Sequence, residues 1–393
     1  MFERITLDHQ RMQGAPIDLG ILAECLVFYE KVRVIVDQVR FPYLVRACGA
    51  DELLHLLSMG ALELEYFENL SGVMTRQIGS RTVHDSGNVK SSSLGYFGVA
   101  RKLFDELAGS SGKGANKRFD KFQRFVKRSD YTNEMAAEGR ADWLDEEYAT
   151  EAARALLSWL APGYSVPAGL KFDVRAVPDG FQVTSNIDFD SADAAYRQHN
   201  GGAEQTITEA YLLVNIANTR RDLIVGSQFS SEFSLAPAQA LVASCKFAQV
   251  LTSANGGLQT ADIFQEEVVD DLPRIKEAVN SGVKNFSDVI RLVESASEFK
   301  AWLRKQESGD DIRKAYLRDV AHLDWADKLP PKSFRWLLFT GAGIALSATT
   351  HPLIGTMAGT ALSAADTFIL DRFVKGWKPN QFTEGPLKKF LQG

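Results

Sequence analysis

The sequence predicts an α+β fold: an N-terminal mixed α/β part, a central β-hairpin and a predominantly helical C-terminal half. Three observations predict it. Strand-like and helix-like runs alternate through residues 1–80. Pro178-Asp179-Gly180 separates two strand-forming runs and is the strongest hairpin signal in the chain. From residue 207 onward, apolar residues recur at helical spacing.

Each element follows from its own pattern. Phe2 to Leu7 is expected as a strand. Asp18 to Phe28 sets Leu19, Leu22, Ala23 and Leu26 on one helical face. Lys31 to Val36 is β-branched and strand-like, and Ala50 to Met59 is a Leu-rich helix closed by Gly60. Ala61 to Phe67 alternates Leu62, Leu64 and Tyr66 with Glu63 and Glu65, the pattern of a half-buried strand. Asn69 to Gly72 reads as a turn before a strand over Val73 to Ile78. This order suggests a small, partly parallel layer.

Ser86–Gly95 and Gly109–Lys117 read as loops on either side of a helix over Tyr96 to Leu107. Charged helices follow to about Leu160, and Ala161–Gly169 is the best internal boundary. Leu170–Val177 and Phe181–Phe189 form the hairpin strands. Helices are expected over Ile207–Val225, Ser234–Leu251, Asp271–Asn280, Ser287–Gln306 and Asp311–Trp325, and Pro330-Pro331 then breaks the chain. Four segments result: a small α/β layer (1–80), a loop-rich, charged helical segment (81–160), a β-hairpin plus helices (161–330), and an apolar small-residue helical hairpin with a tail (331–393).

Composition excludes several classes. The chain has 393 residues, 44 Lys+Arg against 50 Asp+Glu, and a net charge of −6. With 45% hydrophobic and 24% charged residues it is neither wholly disordered nor collagen-like. The mildly acidic total argues against a uniformly basic nucleic-acid binder. Cys25, Cys48 and Cys245 lie far apart among apolar neighbours, as small buried hydrophobes do. The N-terminus has no basic start, apolar core or cleavage site, so the expected location is cytoplasmic, with membrane association as the alternative.

No catalytic motif is found, so the catalytic residues are unknown and no cofactor is implied. His9, His55, His84, His199, His322 and His351 show no metal-ligand spacing, and His55 is expected to pack at a core boundary. Gly109-Ser110-Ser111-Gly112-Lys113-Gly114 fails as a phosphate loop, because Leu107 stands where the first Gly belongs and Gly114 where Ser or Thr belongs. Asn186, Asp188 and Asp190 share one strand face and form a weak metal candidate. They fail as a calcium loop, since the sixth position is Ser191 and the twelfth Arg197. The competing reading has Asp190 or Ser191 capping the helix that follows. Neither GxSxG nor GxGxxG with a downstream acid occurs.

Two segments stand out as binding surfaces. If 117–128 is one helix, Lys117, Lys121, Arg124 and Arg128 align on one face, with Phe119, Phe122 and Val126 on another. Such a basic amphipathic helix suits an acidic partner, a phosphate backbone or an anionic membrane. Directly after it, Asp130 to Glu151 holds eight acids against Arg140, so two antiparallel helices could neutralise each other. At the C-terminus, Trp336 to Ala365 carries no formal charge. There Gly341 and Ala345, and again Gly355, Gly359 and Ser363, recur at helical spacing, which lets helices approach closely or associate in lipid. Divided at Pro352, the arms are too short to span, which favours a soluble core hairpin.

The leading expectation is a non-enzymatic intracellular protein that binds a protein partner or self-assembles. The alternatives are an effector that docks on or disrupts a membrane through its C-terminal apolar segment, and nucleic-acid contact through 117–128.

Overall fold

The computed structural model describes residues 2–8, 15–90, 93–109, 114–199, 206–229, 231–234, 238–245, 274–305 and 379–392. It shows an α+β protein with one parallel and one antiparallel sheet.

The first stretch contains β1 (Arg4–Leu7), α1 (Leu19–Phe28), β2 (Lys31–Val36), α2 (Arg40–Cys48), α3 (Ala50–Ser58) and β3 (Leu62–Phe67). A hairpin follows, β4 (Asn69–Ile78) and β5 (Arg81–Lys90), then α4 (Gly95–Ala108), α5 (Ala115–Phe125) and β6 (Val126–Ser129). Next come α6 (Asn133–Leu144), α7 (Glu146–Leu160), β7 (Phe172–Val177), β8 (Gly180–Ser185), α8 (Phe189–His199), α9 (Glu209–Gln228) and β9 (Glu232–Ser234). Residues 238–245 are helical. The described chain closes with α10 (Ile275–Asn280), α11 (Phe286–Ser295), α12 (Ser297–Arg304) and a C-terminal helix over 380–392.

Helix starts follow local chemistry. Asp18 accepts from the Ile21 N–H at 3.0 Å, and Thr132, Asp145 and Thr208 cap α6, α7 and α9 in the same way. Gly49, at φ 92, lets the chain leave α2 and enter α3 without a spacer.

The parallel sheet runs β6-β3-β2-β1-β9, so it recruits two strands from beyond residue 80. Every pairing in it is parallel. One face is apolar: Val32, Val34, Leu62, Leu64 and Tyr66 pack with α1, α3, α4, α5, α10, α11, α12 and the C-terminal helix in the main core. The other face carries only a small apolar cluster, Ile35 and Phe67 with Tyr131, Met135, Ala136 and Val225. The other described side chains of that face are polar or charged, among them Thr6, Arg33, Glu63, Glu65, Lys127 and Ser129, which is unusual for a parallel sheet covered on both sides. The antiparallel sheet, β4-β5-β8-β7, packs with α6, α7, α8 and α9 in a separate core that contains both Leu160 and Leu170.

Several expectations change. Asn69–Gly72 is not a turn and Ser86–Lys90 is not a loop; they pair as the open end of the β4–β5 ladder, Asn69 opposite Lys90. Cross-strand pairing, and the Arg140 hydrogen bond to the Ser86 carbonyl at 2.7 Å, override the weak propensity of this Ser/Gly/Asn run. The single helix expected over 287–306 is two within the described residues, Phe286–Ser295 and Ser297–Arg304, with the break at Ala296. Ser234 ends a strand instead of starting a helix. Nothing in the sequence reading marked α2. His55 is not packed: it is exposed and pairs with Glu294 at 2.8 Å.

The β7–β8 turn sits where the sequence places it. Gly180 has φ 141, and a Cβ there would lie 2.5 Å from the His84 carbonyl oxygen. Gly180→Val should therefore lose about 1–3 kcal/mol in urea titrations, from backbone strain and overpacking together. Wild-type stability in that variant would contradict the close approach of β8 to β5.

Candidate functional site

Strands β3 and β6 end side by side, with Glu65 in register with Lys127 and Phe67 with Ser129. Period two places Glu63, Glu65, Lys127 and Ser129 on the charged face of the sheet. The Ser129 hydroxyl donates to Glu65 Oε1. Glu65 is 4% exposed, and its Oε2 is buried with no hydrogen-bond partner. Just past the strand ends, both Glu68 oxygens accept from the Tyr96 N–H at the start of α4, at 3.3 and 3.1 Å. Asp130 Oδ1 accepts from the Asn69 N–H at 3.1 Å and from Asn69 Nδ2 at 3.0 Å. Glu65, Glu68, Lys127, Arg128, Ser129 and Asp130 together line a cleft of about 610 Å³.

Neighbouring charges set the field of this face. Burial alone would raise the Glu63 carboxyl. The Arg33 hydrogen bond and charge, with Lys127 and Lys31 behind them, outweigh burial and hold Glu63 below its usual range. The Arg33 guanidinium in turn lies 3.7 Å over the Phe229 ring.

The basic stripe is divided by the fold. The helix stops at Phe125, so Lys117, Lys121 and Arg124 share α5 while Arg128 belongs to β6. Arg128 lies 4.5 Å over the Phe97 ring and lines the cleft. Lys117, Lys121 and Arg124 are exposed, and among the described residues none of them makes an ion pair. On the adjoining face, Arg118 hydrogen-bonds Asp51 at 3.1 Å and holds that carboxyl below its usual range.

Several acids of the run that could neutralise α5 are engaged elsewhere. Asp142 grips Arg220 through two hydrogen bonds at 2.6 and 2.8 Å, and Glu138 lies 3.7 Å from the same guanidinium. Asp145 caps α7, Glu151 pairs with Arg154 and Asp130 holds Asn69. The Arg220 contacts tie α6 to α9, the Asn69 contact holds the end of β6 to β4, and the other two lie within α7, so none of them reaches α5.

The strand order reverses at β1, and open α/β sheets bind ligands outside the carboxyl ends of their strands at such a point. Here that position holds a buried ion network. Asp8 Oδ1 accepts from Arg40 at 2.6 Å and Oδ2 from Arg221 at 2.5 Å. Arg221 also reaches Asp222 at 2.8 Å and the Ser71 hydroxyl at 3.4 Å. Asp37 accepts from the Val39 and Arg40 backbone N–H groups. Burial would push the Arg221 guanidinium down, but Asp8 and Asp222 outweigh it and hold it above its usual value. Because these groups hydrogen-bond one another, the network serves to fasten α2, β4 and α9 to β1.

A second polar chain runs Thr75 Oγ1, His84 and Glu209, at 3.0 Å on each side of the ring. Its order resembles a nucleophile, base and acid. Thr75 and His84 are cross-strand partners and Glu209 opens α9, so the chain also pins that helix to the hairpin.

The weak metal candidate is used locally. Asn186 bonds the Lys171 N–H and the Gly169 carbonyl. Asp188 accepts from the Ser191 N–H at 3.1 Å and the Ser191 hydroxyl at 2.6 Å, so Asp188, not Asp190 or Ser191, caps α8. Among the described residues no group of three His, Cys, Asp or Glu side chains is placed to hold a metal. Burial pushes the Cys48 thiol well up and that of Cys245 up to about 11, so neither is a thiolate near neutral pH. Gly341, Ala345, Gly355, Gly359 and Ser363 lie outside the described residues. Among the described residues no helix is long and apolar enough to cross a membrane.

The sequence singled out Arg128, Lys117, Lys121 and Arg124 but missed Glu65, Ser129 and the Asp8 network. Only strand pairing across 64 residues brings Ser129 to Glu65. No protein-family model, curated protein or solved structure matches the chain, so any function must be read from this geometry.

Proposed function

We propose that this is a non-catalytic binding protein that engages a polyanionic partner through the exposed basic face of α5. The observation that carries this reading is the separation of the two charge runs. Glu138 and Asp142 pair with Arg220, Glu151 pairs with Arg154 and Asp145 caps α7, while Lys117, Lys121 and Arg124 face solvent. Phe125, 36% exposed, lies on α5 next to Arg124, and Phe97, 46% exposed, lies under the Arg128 guanidinium. Basic side chains with aromatics nearby suit single-stranded nucleic acid, whose phosphates meet the cations and whose bases stack.

The test is fluorescence anisotropy of labelled single-stranded DNA and RNA with the full chain. Three phosphate contacts give a salt slope of about −2, so raising salt from about 50 to 200 mM should weaken binding roughly 20-fold. Lys121→Glu with Arg124→Glu should remove most of the affinity and leave the circular dichroism spectrum unchanged, since both side chains are exposed. Binding to poly-glutamate or anionic vesicles but not to nucleic acid would replace the nucleic-acid reading with an acidic-protein or membrane one. No binding to any polyanion at low salt would overturn the proposal.

A further inference from the structure

We propose that the cleft at the carboxyl ends of β3 and β6 binds a small zwitterion of the α-amino-acid type. Its ammonium would sit on Glu65 and its carboxylate on Lys127, a role that does not depend on α5.

The argument begins with Glu65 Oε2. A buried carboxylate oxygen without a partner is costly, and buried polar groups are nearly always satisfied. Glu65 Oε1 is already held by Ser129, its second oxygen has no hydrogen-bond partner, and Glu65 lines the cleft. Lys127, its partner in register, makes no ion pair with it and stays exposed. Lys127 instead contributes to the field that lowers Glu63. The two opposite charges thus stand side by side and are not joined.

The lining selects the ligand's charge. Glu65, Glu68 and Asp130 disfavour a simple anion, and Lys127 and Arg128 disfavour a simple cation. The committed groups narrow the choice further: Glu68 is occupied by the Tyr96 N–H, Asp130 Oδ1 by Asn69 and the Arg128 guanidinium by the Phe97 ring. The Glu65 oxygen is the buried acceptor of the cleft, and the Lys127 ammonium, in register with it, is an exposed donor with no ion pair among the described residues. A molecule that carries both charges a few bonds apart satisfies both, and about 610 Å³ is ample for it.

The experiment is isothermal titration calorimetry of the full chain with each standard α-amino acid, and with acetate and methylammonium as singly charged probes. At least one amino acid should bind, and both probes should bind far more weakly. Glu65→Gln keeps the shape and an acceptor for Ser129 but loses the charge, and should weaken binding about 10- to 100-fold. Lys127→Met alters an exposed residue and should weaken the same ligand by a similar factor, which keeps the test decisive if Glu65→Gln does not fold. Polyanion binding through α5 should be unchanged in Glu65→Gln, so failure here and failure of the α5 reading are distinguishable. The proposal is overturned if no amino acid binds, if either probe binds as tightly, or if both variants bind like wild type.

Discussion

Asp8→Ala is expected to lower stability by about 3–5 kcal/mol, enough to leave much of the chain unfolded near physiological temperature. The carboxylate of Asp8 joins Arg40 to Arg221, and all three side chains are almost fully buried. Taking it away leaves Arg40 with its longer 3.7 Å contact to Asp37 and removes one of the carboxylates that hold Arg221, whose contact to Asp222 at 2.8 Å stays. A buried guanidinium cannot shed its proton to escape the penalty, because its pKa lies far above any working pH. Asp8→Asn should fall between wild type and Asp8→Ala, since it keeps the shape and one acceptor. Urea denaturation of the three proteins measures the series. Equal midpoints for Asp8→Ala and wild type would show that the network is not what ties α9 and α2 to β1.

Lys300→Met should act in the opposite direction and stabilise the fold. Lys300 lies on α12, 6% exposed. Burial pushes its amine down to about 8; Glu30 opposes the shift and Arg304 adds to it. The folded protein therefore sheds this proton more readily than the unfolded chain. Below pH 8 both states carry the charge and the folded one bears the full penalty of burying it. Between pH 8 and the ordinary lysine value the unfolded chain binds more protons, so stability rises with pH through that window. A depression from 10.5 to about 8 corresponds to about 3 kcal/mol. At pH 7 Lys300→Met should be more stable by up to that amount, and its advantage should shrink steadily above pH 8. Paired urea titrations from pH 7 to pH 10 read this directly. A methionine variant that is less stable at pH 7, or an advantage independent of pH, would contradict the account.

Much of the local structure was legible in the sequence because it depends on neighbours in the chain. β2 is Lys31–Val36, as its β-branched run indicates, and α4 and the β7–β8 turn lie within a few residues of where periodicity and Pro178-Asp179-Gly180 put them. What the sequence did not show depends on partners far along the chain. Ser86–Lys90 has loop composition and becomes a strand only because β4 is there to pair with it. Glu65 reads as the solvent side of an alternating strand, yet it is buried, because β6 and the α6–α9 layer close over that face. The charge balance of 117–151 was correct as arithmetic and misleading as structure, since Glu138, Asp142 and Glu151 pair with Arg220 and Arg154 and not with α5. Of the candidate site, the cations of α5 were visible, while the Glu65 cleft was not. Its lining comes from the ends of two strands some 60 residues apart, where no spacing rule applies.

The place of β9 at the edge beside β1 sets the order in which the molecule can assemble. Thr6 meets Ser231 at 2.7 Å across 225 residues, and Asp8 meets Arg221 across 213. The two hairpins close over a few residues and can form early, whereas the cost of loop closure and the need for distant partners delay the parallel sheet. As the chain leaves the ribosome, β1 keeps an open hydrogen-bonding edge until β9, more than 220 residues later, has emerged. Ribosome-bound chains that stop before Glu232 should therefore associate through this edge or recruit holding chaperones to it, and chains that extend past β9 should lose that edge-dependent association.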